Sequence, residues 1–264
     1  PFPQFGNVYM RQSTGASNQY HAAIFKFEKR VSHGWGGRIN YTYSRLTDDQ
    51  FGEGNFFSRN DGDAQDIYNL KAEYDRSILD VPHKIVLSPI VELPFGEGKK
   101  WMNSGPGNWI LGGWTLSSII SFESGFPMSP YTNTNGLATI FADNQWVNPG
   151  SGDTETSGGY EDRLLSSWLN AAGYSDPGAL KLGTLGRIDE NTRTPMRNNW
   201  DFVATKQVKL GGSARGELRL EVLNITDTPK VRGPIAALGA SNFGQIRVQS
   251  GFMRLTQIMF RVTF

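Results

Sequence analysis

Apolar side chains fall at every second residue along much of this chain, with polar or charged residues between them. That period is the mark of a strand whose two faces meet different surroundings. In 23–30, Ala23, Phe25 and Phe27 share one face and Ile24, Lys26, Glu28 and Arg30 the other. In 35–45, Trp35, Gly37, Ile39, Tyr41 and Tyr43 alternate with Gly36, Arg38, Asn40, Thr42 and Ser44. His83, Ile85, Leu87, Pro89, Val91 and Leu93 oppose Lys84, Val86, Ser88, Ile90 and Glu92. The pattern returns in 114–123, 200–205, 217–222 and 257–264, the last placing Ile258, Phe260, Val262 and Phe264 opposite Gln257, Met259, Arg261 and Thr263. About seven strands are predicted, many near the ~9–11 residues that a tilted strand needs to cross a bilayer.

The connections separate two architectures. Links at 31–34 and 210–216 are short, and 94–109 is a medium, glycine-rich turn. Between them lie long connections at about 46–80, 125–198 and 224–254. Long loops without structure count against a compact soluble domain, whereas short turns at one end and long loops at the other are the habit of a membrane barrel. The polar faces carry Lys26, Glu28, Arg38, Lys84, Glu92, Glu217, Arg219, Glu221 and Arg261. A sandwich core would have to pair every one of them. The expected fold is therefore all-β: an antiparallel transmembrane β-barrel segment with long extracellular loops. Phe25, Phe27, Ile39, Ile85, Leu87, Ile120 and Leu220 are expected to face lipid. The alternative is a soluble sheet with one wet face, as in a secreted all-β binding protein or carbohydrate-active enzyme.

Composition narrows the function. Lys and Arg number 26 against 25 Asp and Glu, so the basic surface of a nucleic-acid binder is absent, and no nucleic-acid partner is expected. There is no Cys, which excludes disulfide scaffolds, thiolate metal sites and cysteine nucleophiles. His21, His33 and His83 show no paired ligand spacing; His83 is expected to be structural. No GxSxG or phosphate-binding loop occurs, and the glycines of LGGSARG and PFGEGKK fall between strands. No catalytic residue, cofactor or enzymatic activity is expected. Asp61, Asp63 and Asp66 in one loop have a spacing that Ca²⁺ could use, but without the EF-hand pattern a solvated loop is the plainer expectation, and no metal site is assigned. Leu164, Leu165, Trp168, Leu169 and Ala172 sit at roughly helical spacing and predict a short helix packed on an outer loop.

Several stretches resemble one family, the barrel domain of TonB-dependent receptors of the Oar-like type. They are PFPQFGNV, SNQYHAAIFKFEKRVSHGWGGRINYTYSR, ILDVPHKIVLSPIVELPFGEGKKW, ILGGWTLSSIISFESGFPMSP, WDFVATKQVKL, ELRLEVLNITDTP, NFGQIRV and the final strand ending in Phe264. The resemblance runs over most of 1–264 and is weakest in the loops. It implies a barrel of about 22 strands with a plugged lumen, of which this chain is the C-terminal part, in the bacterial outer membrane. It implies ligand uptake or surface recognition through the extracellular loops. Nothing in the sequence corresponds to the plug, the TonB-contact segment or the N-terminal carboxypeptidase-regulatory-like domain. The implied partners are thus the rest of the barrel and plug, the TonB system through that plug, outer-membrane lipid and the barrel-insertion machinery. The machinery would read Ile258, Phe260, Val262 and Phe264. About seven strands cannot close alone with both chain ends on the periplasmic side, and residues 1–20 are expected in an outer loop.

Overall fold

The structure is a computed structural model that describes residues 17–49, 64–66, 68–132 and 145–264. Seven long strands form one sheet: β1 (Asn18–Ser32), β2 (Trp35–Asp48), β3 (His83–Glu92), β4 (Trp114–Glu123), β5 (Arg197–Gly211), β6 (Ala214–Leu223) and β7 (Leu255–Thr263). Each pairs antiparallel with the next in sequence, and a two-residue strand, Asp75–Arg76, adds to β2. Among the described residues the sheet is open, with β1 and β7 at its edges.

Register aligns the alternating patterns of separate strands into bands, because paired residues in a ladder point to the same face. Trp35, Val91, Leu116, Ala204, Leu220 and Ile258 stand side by side across six strands. Phe27, Ile39, Leu87, Ile120 and Trp200 form a second row, and Phe25, Tyr41, Ile85 and Phe122 a third. These rows make one continuous apolar face, on which Phe25, Phe27, Ile258 and Phe260 are exposed. The opposite face carries cross-strand charge pairs, among them Glu28 with Arg38 at 3.1 Å and the directly opposed Glu217 and Arg261. Exposed Ile24, Ile90 and Ile119 interrupt that polar face.

All three strand connections at one end are compact. β1 and β2 join through His33 and Gly34, both at positive φ, the geometry of a two-residue hairpin turn whose twist matches the strands. β5 and β6 join through Gly212 and Ser213. The turn 93–113 contains a seven-residue helix, α1 (Gly105–Leu111), which the sequence pattern did not reveal. At the other end the connections 49–82, 124–196 and 224–254 are long, and their described parts touch one another. Their core is Met128, Trp168 and Leu169, backed by Ala236, Phe243 and Ile246.

Three expectations need correction. The helix predicted from Leu164 to Ala172 ends at Leu165: α2 spans Tyr160–Leu165. Trp168 and Leu169 follow it in extended chain, bridging to 155 and 244 and burying their side chains. Their spacing came from core contacts, not from a helix turn. Asn18 to Tyr20, expected in an outer loop, belong to β1, while 1–16 lie outside the described residues. β5 continues well past Ala204, where Lys206 breaks the apolar alternation. Among the described residues no helix is long and apolar enough to cross a membrane.

Candidate functional site

The polar face meets the loops at the long-loop end, and the chemistry collects there. Lys84 is the second residue of β3, Glu123 ends β4 and Arg197 begins β5; register sets the three abreast. The Lys84 ammonium lies 2.7 Å from one Glu123 oxygen and the Arg197 guanidinium 2.5 Å from the other. The carboxylate is thus paired with one cation on each neighbouring strand. Arg197 also stacks over the Phe126 ring, 4.2 Å from its centroid, which fixes the guanidinium plane.

Above this row opens a cavity of about 300 Å³. Strand residues Ser121, Glu123, Arg197 and Asn199 form its floor. Tyr160 of α2 and Lys230 of the last loop form its sides. Lys230 donates to the Asn199 side-chain oxygen at 2.6 Å, and it has no carboxylate partner among the described residues. Burial raises the pKa of the Tyr160 phenol, so it remains a neutral hydroxyl at ordinary pH. Beside the paired Glu123, the walls offer donors in the Lys230 cation, the Arg197 guanidinium edge, the hydroxyls and an amide. Such a lining suits a solute rich in acceptors.

Away from the cavity, the loops at this end are held together by buried polar contacts. Arg187 of the second loop enters the first. It donates to the Asp48 carboxylate at 2.6 Å, the Asp48 carbonyl at 2.7 Å and the Glu73 carbonyl at 3.0 Å. Asp80 is fully buried; it accepts from Arg193 at 2.7 Å and from the Leu46 amide at 2.8 Å. The Gln65 side chain bridges to Gly183 and Trp146. The Tyr174 hydroxyl donates to Asp189 at 2.6 Å; burial and that carboxylate raise its pKa, so it stays protonated. Second and third loops are tied backbone to backbone, Trp168 to Gly244 at 2.7 Å and Leu238 to Tyr131 at 2.8 Å.

The sequence-derived positions fall as follows. Phe25, Phe27, Ile39, Ile85, Leu87, Ile120 and Leu220 share the apolar face. Ile258, Phe260 and Val262 join it through β7, and Phe264 stands one residue past the strand, highly exposed. His83 is a structural residue on that face, with Nδ1 2.9 Å from the Tyr41 hydroxyl and its ring against Tyr43. Asp61 and Asp63 lie outside the described residues; Asp66 accepts from the Tyr68 amide. No group of three His, Asp or Glu is placed to hold a metal among the described residues. The cavity escaped sequence reading because its walls come from β4, β5, α2 and the last loop, and no local spacing joins them. The one available signal was the placement of Glu123 and Arg197 at strand ends.

Among known proteins, a family model described as an outer membrane beta barrel domain matches residues 1–257. No curated protein and no solved structure matches the chain.

Proposed function

Because the chain belongs to the outer membrane β-barrel domain family, and so resides in the bacterial outer membrane, we propose that it is the C-terminal barrel portion of a TonB-dependent receptor of the Oar-like type. It takes up or recognises a solute and catalyses no reaction. The observation that carries this reading is the cavity on the polar face, where strand ends meet Tyr160 and the last loop. A wall that only closed a pore would need no such chamber.

In this arrangement the apolar face lies in lipid, and the ladders satisfy the backbone groups that hydrocarbon cannot. The compact turns face the periplasm and the long loops the exterior, as in other barrels of the outer membrane. The open edges of β1 and β7 pair with further strands of the same receptor, since unpaired edges are untenable in lipid. A plug in the lumen covers Ile24, Ile90 and Ile119, and through it the TonB system supplies energy. The insertion machinery reads β7 with Phe264. A solute with a carboxylate or similar acceptor group enters under the loops and meets Lys230, Arg197 and Tyr160.

The test is whether the detergent-solubilised full gene product co-elutes with the periplasmic domain of TonB. Co-elution is expected. A full gene product that is heat-modifiable, and therefore a folded barrel, yet never binds TonB would overturn the receptor reading.

A further inference from the structure

The turn 93–113 is bonded too thoroughly to be a slack connection. The Trp101 amide donates to the Pro94 carbonyl, the Gly96 amide to the Trp101 carbonyl, and the Glu97 amide to the Asn108 side chain, all at 3.0–3.1 Å. Gly96 and Gly112 touch so closely that a Cβ on either would lie 2.8 Å from the other's Cα. This packing fixes α1 against the sheet, and two side chains show on which side. Lys206 leaves β5 on the apolar face, between Trp114 and Leu218 in register. Its ammonium donates to the carbonyls of Ile110 at 2.9 Å and Gly112 at 2.8 Å. The Trp114 indole, on the same face, donates to the Ile110 carbonyl at 3.0 Å.

A lysine on the apolar face is thereby explained. Its charge is spent on the Ile110 and Gly112 carbonyls at the end of α1, a position that favours a cation. What α1 then turns outward is apolar: Trp109 is 78 % exposed and Ile110 62 %, with Trp101, Met102 and Leu111 exposed beside them. No acidic residue occurs from Gly98 to Gly113. Lys100 stands beside the Trp101 ring, 5.0 Å from its centroid, with no carboxylate partner among the described residues.

We propose that the turn 93–113 is a membrane anchor. α1 lies on the periplasmic-side phospholipid leaflet with Trp109 and Ile110 in the acyl boundary, Lys100 at anionic headgroups, and Lys206 pinning it to the barrel wall. Lipid is the occupant because the patch adjoins the apolar face at Trp114, whose indole bonds the end of α1, and because 98–113 carry lysines and no acidic residue. Indole rings and basic side chains over apolar surface suit the headgroup boundary, and anionic lipid attracts the free lysine. The inference rests on the barrel orientation proposed above.

The 264 residues contain no cysteine, and any cysteine elsewhere in the full gene product is first changed to serine. The full gene product carries one cysteine at a time, Ile110→Cys, Ile258→Cys or Ser213→Cys, labelled with an environment-sensitive fluorophore. It is reconstituted in nanodiscs of phosphatidylethanolamine and phosphatidylglycerol. Blue-shifted emission, quenched by brominated acyl chains, is expected at 110 and 258 and not at 213. Adding Lys206→Met should red-shift the label at 110 and leave that at 258 unchanged. A label at 110 that behaves like 213, while 258 reports lipid, overturns the anchor and spares the barrel. A label at 258 that reports water overturns the orientation itself. Emission at 110 that Lys206→Met does not move overturns the pin.

Discussion

Glu73 shows how a single residue sets the behaviour of the packed loops. It is almost fully buried, and its carboxylate accepts from the Gln65 amide at 2.7 Å. Burial raises its pKa above the ordinary 4.5, against the opposing pull of the Gln65 hydrogen bond and the Arg187 charge. A raised acid binds a proton in the folded state that the unfolded chain has already released. The folded loop is therefore favoured at low pH, and its stability falls as pH rises from 4.5 through the folded value. Hydrogen exchange at Gln65 should accordingly quicken across that window beyond its intrinsic pH dependence. In Glu73→Gln this excess should vanish, because the amide cannot titrate. An identical pH profile in both proteins would show that Glu73 does not govern the loop. His83 makes a complementary point: among Tyr41 and Tyr43 on the apolar face it serves packing, as its lack of a paired partner in sequence implied.

At the scale of elements, strands and loops depend on different bonds and should fail separately. The strands rest on ladders, the loops on a few buried ion pairs such as Arg187 with Asp48. Removing one partner of a buried pair leaves the other charge stranded, a loss of about 3–5 kcal/mol. Arg187→Met should make 124–196 sensitive to external protease while the barrel keeps its heat-modifiable migration on gels. Loss of both together would show that the loops and the wall fold as one unit. The same division explains what the sequence made legible. Alternation is local, so all seven long strands and their apolar faces could be read from residues such as Phe25, Leu87 and Ile258. Lys206 hid the lower half of β5 because its partner carbonyls lie on another element. Trp168 and Leu169 imitated a helix because contacts with Met128 and Phe243, distant in sequence, decide their place. The cavity floor, built from Ser121, Arg197 and Asn199, depends on register between strands that 73 intervening residues separate, and no single segment encodes it.

For the whole molecule, the governing fact is that a sheet with two unlike faces presents one of them, continuous and apolar, to whatever surrounds it. In the receptor proposed above that surrounding is lipid, and the charged row of Lys84, Glu123 and Arg197 is an interior feature. Among the described residues the edges at β1 and β7 are open; in the proposed receptor they join a larger closed wall, the loops face outward and α1 rests on the opposite leaflet. Everything rests on the direction of the faces, and β7 tests it most directly. Spin labels placed singly at 257 through 262 in the full gene product, within outer-membrane lipid, report collision with oxygen, which concentrates in acyl chains, and with a water-soluble nickel chelate. Labels at Ile258, Phe260 and Val262 should favour oxygen, and labels at Gln257, Met259 and Arg261 should not, giving a two-residue period in phase with the apolar face. A flat profile, or the same period in opposite phase, would contradict the account.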